Sequence, residues 1–134
     1  MAKILVIDDE EQIRGLLKRI FQNQGHRVVT ADNGAVGLKM MAQEPFDLVV
    51  TDIFMPEKEG METIIEIKRD YPAVKILAMS GGNSQGCDYL PMTRPLGADA
   101  CLNKPFSNED MIRIANGLLG DPSLKKASAM QSPV

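Results

Sequence analysis

The chain has 134 residues, the length of one domain with a full core of its own. Hydrophobic residues make up 44% and charged residues 25%, which excludes wholesale disorder, and a formal net charge of -3 excludes the basic footprint of a nucleic-acid binder. The apolar start, Met1 to Ile7, stops at Asp8, too short for a signal peptide or a membrane span, so a cytoplasmic protein without a membrane partner is expected.

Ile4 to Ile7 reads as a strand buried on both faces, and it ends in four acids, Asp8-Asp9-Glu10-Glu11. Ile13, Leu16, Leu17, Ile20 and Phe21 follow at helical spacing, opposite a basic face of Arg14, Lys18 and Arg19, and Gly25 stops that helix. His26, next to the stop, reads as a surface histidine. Arg27 to Ala31 is a second strand. After Asn33-Gly34 comes a helix holding Val36, Leu38, Met40 and Met41, closed by Glu44-Pro45 because proline cannot continue it. The third strand, at 48 to 51, leads into Asp52. A loop through Met55-Pro56 precedes a helix with Met61, Ile64, Ile65 and Lys68 near one face, ended by Tyr71-Pro72.

Lys75 to Met79 is a fourth strand, finishing at Ser80-Gly81-Gly82, and a fifth lies near Ala100 to Leu102, leading to Asn103-Lys104-Pro105-Phe106. Residues 81 to 97 hold Gly81, Gly82, Gly86, Pro91, Pro95 and Gly97, so any helix there is short and irregular. Ser107 caps a last helix with early acids and a stripe of Met111, Ile114, Ala115 and Leu118. Cys87 and Cys101 lack C-x-x-C spacing and are expected as free thiols, without zinc or a disulfide. Residues 1–120 form the predicted domain and residues 121–134, poor in apolar side chains, a disordered tail. Strands alternating with helices predict an α/β domain with a parallel sheet covered on both faces.

Each strand but the second ends in a group suited to phosphate or metal chemistry: Asp8 and Asp9, Asp52, Ser80, Lys104. Singly these are ordinary residues, since an acid after a strand is usually a loop or cap residue and a lysine usually solvated. Together they predict a crevice at the carboxyl edge of the sheet, where three carboxylates repel unless a cation sits among them. Hard oxygen ligands suit Mg²⁺, and a carboxylate nucleophile beside a lysine and a hydroxyl suits phosphoryl transfer.

In this order Asp8-Asp9, Asp52 before Met55-Pro56, Ser80, Gly97-Ala98-Asp99-Ala100 and Lys104-Pro105-Phe106 resemble the receiver domain of bacterial two-component response regulators, over about residues 3 to 119. The resemblance implies a flavodoxin-like, doubly wound three-layer α/β/α fold with five parallel strands ordered 2-1-3-4-5. It implies that Asp52 accepts a phosphoryl group from a sensor histidine kinase or histidine phosphotransfer protein. Asp9, Asp52 and the backbone carbonyl of Phe54 would hold Mg²⁺, with Asp8 acting through metal-bound water. Ser80 and Lys104 would contact the phosphoryl oxygens, and the Lys104-Pro105 bond would be cis.

The family usually carries Tyr or Phe three residues before the lysine, where this chain has Cys101, so the usual aromatic half of the switch is missing. A stand-alone receiver is expected, with catalysis limited to gaining and slowly losing its own phosphoryl group. A receiver-like interaction module independent of phosphorylation is the alternative. A phosphatase with an aspartyl-phosphate intermediate is disfavoured by Phe54, which stands where such enzymes place a second acid, and an FMN carrier by the acidic first loop.

Overall fold

The computed structural model describes residues 1–53, 60–80 and 97–120, with the side chain of Met61 left out. The predicted Phe54 carbonyl ligand, the irregular segment before Gly97 and the tail from Asp121 lie outside these residues. The described elements are β1 (Lys3–Ile7), α1 (Glu11–Asn23), β2 (Arg27–Ala31), α2 (Gly34–Gln43), β3 (Leu48–Asp52), α3 (Gly60–Asp70), β4 (Lys75–Ser80), β5 (Ala100–Asn103) and α4 (Asn108–Leu119). All pairings are parallel and the sheet runs β2-β1-β3-β4-β5, as the resemblance implies.

The continuous apolar runs of the central strands are explained by the pleat. Alternate side chains point to opposite faces, and here both faces are covered. Leu5, Ile7, Val49, Ile76 and Ala78 join a core with Met41, Phe46, Ile64 and Ile67, under α2 and α3. Ile4, Val6, Leu48, Val50, Leu77 and Met79 join a second core with Leu17, Ile20, Phe21, Met111 and Ala115, under α1 and α4. α1 lies opposite α2 and α3 because the chain turns left to β2 and then right to β3 and β4, and right-handed crossovers in opposite directions land on opposite faces.

Local signals set the element ends. Gly25 adopts φ +87 after α1, Asn33 caps α2 by accepting the Val36 N–H at 2.9 Å, and Ser107 caps α4 by accepting the Asp110 N–H at 3.0 Å. Three strands run one residue further than their apolar stretches predict: Asp52 pairs with Met79, and Ser80 with Asn103. Ladder bonds are made by the backbone, so a polar side chain at the strand end does not break them.

Among the described side chains of α3, Thr63, Ile64 and Ile67 are buried, whereas Ile65, predicted to share the apolar stripe, is 42% exposed. A 100° step per residue turns position 65 away from the face that 64 and 67 share. His26 is half-buried rather than a free surface residue: its Nδ1 accepts the Ala2 N–H at 3.0 Å and its ring meets Phe21 edge-on. Cys101, expected as a free thiol, is disulfide-bonded. The other cysteine of the chain, Cys87, lies outside the described residues. Sequence spacing carries no information on which thiols the fold brings together.

The Gly97-Ala98-Asp99-Ala100 stretch ties α3 to the sheet. One Asp99 carboxylate oxygen accepts the Ile76 N–H at 2.8 Å and pairs with Lys68 Nζ at 3.1 Å, while Lys68 also donates to the Val74 carbonyl at 2.9 Å. Gly97 has φ +120, and a Cβ there would run into the Lys68 side chain. Gly97→Ala is therefore expected to destabilise the fold by about 2 kcal/mol, from a disfavoured backbone region and a forced shift of Lys68. Asp99→Ala, which strands the Ile76 N–H, is expected to cost roughly 1–3 kcal/mol. Urea unfolding of the two variants measures both.

Candidate functional site

Strand register builds the site. Ile7 is the last residue of β1 to pair with β3, opposite Thr51, so the next residues, Asp8 and Asp52, stand side by side where the β1–β3 ladder ends. Asp8 stays attached to the sheet edge because its N–H bonds the Ala31 carbonyl at 3.1 Å. Its Oδ1 accepts the Glu10 N–H at 2.8 Å, which fixes the turn into α1 and presents Glu10 as the residue before the helix. Ser80 ends β4, the next strand over, and its carbonyl accepts the Lys104 N–H at 2.7 Å. Lys104 thus starts from the end of β5 and reaches across the end of β4 toward β3. The Lys104-Pro105 bond is cis, as expected.

Lys104 gathers the acids. Its Nζ lies 2.9 Å from Asp8 Oδ2, 3.1 Å from Asp52 Oδ2 and 3.2 Å from Glu10 Oε1. An ammonium has three N–H donors, so these three carboxylates account for all of them. Asp8 is fully buried and Asp52 nearly so, whereas Asp9 and Glu10 face solvent. Burial raises the Asp8 pKa above the ordinary carboxylate value, opposed by the Glu10 N–H and by Lys104. For Lys104, burial works to lower the pKa, but the Asp8 hydrogen bond and the Asp52 and Asp8 charges outweigh it and hold the amine protonated.

Asp8, Asp9, Glu10 and Asp52 each bring a carboxylate oxygen to within 4.8 Å of the others. An all-oxygen donor set of this charge fits a hard divalent cation such as Mg²⁺. Among the described residues, Lys104 against four carboxylates leaves an excess of negative charge that such a cation would offset. Ser80 Oγ is buried and finds no hydrogen-bond partner among the described residues. A buried hydroxyl without a partner is uncommon in folded proteins and asks for an explanation.

The fold thus draws Asp8, Asp9, Asp52 and Lys104 into one cluster and puts Ser80 at the same sheet edge. Glu10 is the member that sequence reasoning passed over, having read it only as part of an acidic helix start. The run of four acids was the available signal, but only the bend after Asp8 decides which of them turns toward Lys104. An apolar cleft of about 290 Å³ between Met41, Phe46, Tyr71 and Val74 lies at the amino ends of β3 and β4, away from these groups.

The family model described as the response regulator receiver domain matches residues 4–116. The chain belongs to that family. Receiver domains are the signalling modules of two-component systems that histidine kinases phosphorylate. Among curated relatives, the CpxR homolog of Haemophilus influenzae is 32% identical over 121 residues, covering 89% of this chain and 51% of the relative. Response regulator SaeR of Staphylococcus aureus is 29% identical, with 89% and 51% covered. The chain therefore spans about half the length of the curated relatives it matches.

Solved receiver domains superpose closely. A receiver domain protein from Clostridium thermocellum has a TM-score of 0.82 at 31% identity, with 92% of this chain and 98% of that one covered. The Thermotoga maritima response regulator TrrA, solved in complex with Mg²⁺ and BeF, has a TM-score of 0.78 at 33% identity, with 88% and 99% covered. No helix among the described residues of this receiver domain is long and apolar enough to cross a membrane.

Proposed function

We propose that Asp52 is the phosphoacceptor of this receiver domain, taking its phosphoryl group from the phosphohistidine of a sensor histidine kinase or histidine phosphotransfer protein. The observation that carries the reading is the Lys104 ammonium bridging Asp52 and the buried Asp8 inside an all-oxygen cluster. A carboxylate oxygen of Asp52 forms the new P–O bond as the donor's P–N bond breaks and the imidazole leaves. Lys104, held protonated by its neighbours, transfers a hydrogen bond from a carboxylate to a phosphoryl oxygen and offsets charge developing there. Ser80 supplies the hydroxyl for another phosphoryl oxygen.

Asp8, Asp9 and Asp52 are the residues that would hold Mg²⁺, together with the Phe54 carbonyl. The metal's contribution when bound is to neutralise charge on the transferring oxygens. Support comes from the donor set and from TrrA, a 33% identical receiver solved with Mg²⁺ and BeF. In this reading the domain is not a turnover enzyme and acts by passing its state to a protein partner.

The test is incubation with acetyl phosphate and Mg²⁺, followed by intact-mass measurement. A gain of one phosphoryl group is expected, and no gain when a chelator is present from the start; no gain with Mg²⁺ overturns the proposal. A second reading, an interaction module independent of phosphorylation, draws on Cys101, which is disulfide-bonded where the family usually has the switching aromatic. It requires a partner to bind equally well after Asp52→Ala.

A further inference from the structure

We propose that Glu10 is a specificity-determining residue that slows phosphorylation of Asp52 by small, highly charged phosphodonors, an inference that rests on the phosphoacceptor reading above. Three observations carry it. Glu10 is the exposed member of the trio on Lys104: its side chain is 60% exposed, against 0% for Asp8 and 9% for Asp52, so its charge faces the solvent from which a donor arrives. It occupies the third N–H of Lys104, at 3.2 Å, so that no donor of this ammonium is left over for an arriving phosphoryl oxygen. Its main chain is anchored beside the site, since its own N–H is bound to Asp8 Oδ1 at 2.8 Å.

Asp8 is fully buried and Asp52 is itself the nucleophile, so Glu10 is the carboxylate that Lys104 releases most readily. A small anion must approach against the Glu10 charge and displace Glu10 from the lysine. A partner protein presents its phosphohistidine with a surface around it and can offer Glu10 a cation or a hydrogen-bond donor in exchange. The residue thus favours the protein donor over free anions of the same reactivity. The chemistry is unchanged: Asp52 oxygen bonds to phosphorus and the donor's leaving group departs with its electron pair.

The experiment compares wild type with Glu10→Gln at saturating Mg²⁺, using acetyl phosphate, a dianion near neutral pH, and phosphoramidate, whose ammonium group leaves it with less net charge. Glu10→Gln keeps the side chain's size and removes its charge. With acetyl phosphate the variant is expected to be phosphorylated about three- to tenfold faster, the size of one unit charge acting on a dianion a few ångströms away across water. The gain should be smaller with phosphoramidate and should shrink as salt is raised. A Glu10→Gln rate equal to or below wild type overturns the inference, as does a gain indifferent to both donor charge and salt, which is the mark of a merely structural change. Wild-type protein unlabelled by either donor overturns the phosphoacceptor reading itself. Labelled wild type with an unaccelerated variant overturns this inference alone.

Discussion

Asp52→Asn is expected to reduce phosphoryl uptake from acetyl phosphate by at least about a hundredfold, to the background of the assay, because an amide is not a nucleophile at this pH. The substitution is close to isosteric. Its amide oxygen can still accept from Lys104 Nζ, which lies 3.1 Å from the carboxylate it replaces, and its backbone still pairs with Met79. The fold should therefore survive, with an unchanged circular dichroism spectrum and a cooperative urea transition. Those two readouts separate loss of the acceptor from loss of the structure. Uptake that persisted in a folded Asp52→Asn protein would move the acceptor elsewhere, with Asp8, Asp9 and Glu10 the carboxylates clustered with it.

Lys104→Met is expected to have two effects of opposite sign on metal and fold. Lys104 is 14% exposed and pairs with Asp8, which is fully buried, and with Asp52. Replacing the ammonium by an apolar side chain leaves two nearly buried carboxylates without their cation. In the absence of divalent metal this should cost about 3 kcal/mol of stability, the scale of a broken buried ion pair. Removing a positive charge from the site should also tighten Mg²⁺ binding by roughly tenfold, since lysine and metal compete for the same carboxylates. Added Mg²⁺ should then restore much of the lost stability, as any ligand that binds only the folded state does.

Phosphoryl uptake by the same variant, with Mg²⁺ saturating, is expected to fall about a hundredfold, because no ammonium remains to offset charge on the transferring oxygens. Urea unfolding with and without Mg²⁺, metal titration and the labelling rate give four numbers from one variant. Wild-type uptake in Lys104→Met would remove the lysine from the chemistry and leave it a structural counterion. Weaker rather than tighter Mg²⁺ binding would mean that the cation does not sit among Asp8 and Asp52.

Much of this could be read along the chain. Short apolar runs locate the central strands, because burial on both faces of a parallel sheet permits no polar alternation. Ile13 to Phe21 and Met111 to Leu118 locate two helices by period alone, and Gly25 and Ser107 mark where one stops and the other starts. The polar residue at the end of four strands was enough to choose phosphate and metal chemistry before any fold was known. Periodicity failed where it was short: on α3 it could not say that Ile67 faces inward and Ile65 outward.

Composition, strand and helix periods and the terminal polar residues are local properties, and so the amino-acid order alone decided the fold class and the kind of chemistry. Distances between residues far apart in the chain are not local. The pairing of Lys104 with Asp8, 96 positions away, and with Asp52, 52 positions away, exists only once β1, β3, β4 and β5 lie side by side in register. The same holds for the carboxylate of Glu10 on the lysine, the Ser80 hydroxyl without a partner among the described residues and the bonded state of Cys101. These were decided by packing, because a side chain's partners depend on which strand ends the sheet brings together and on which way each turn aims it.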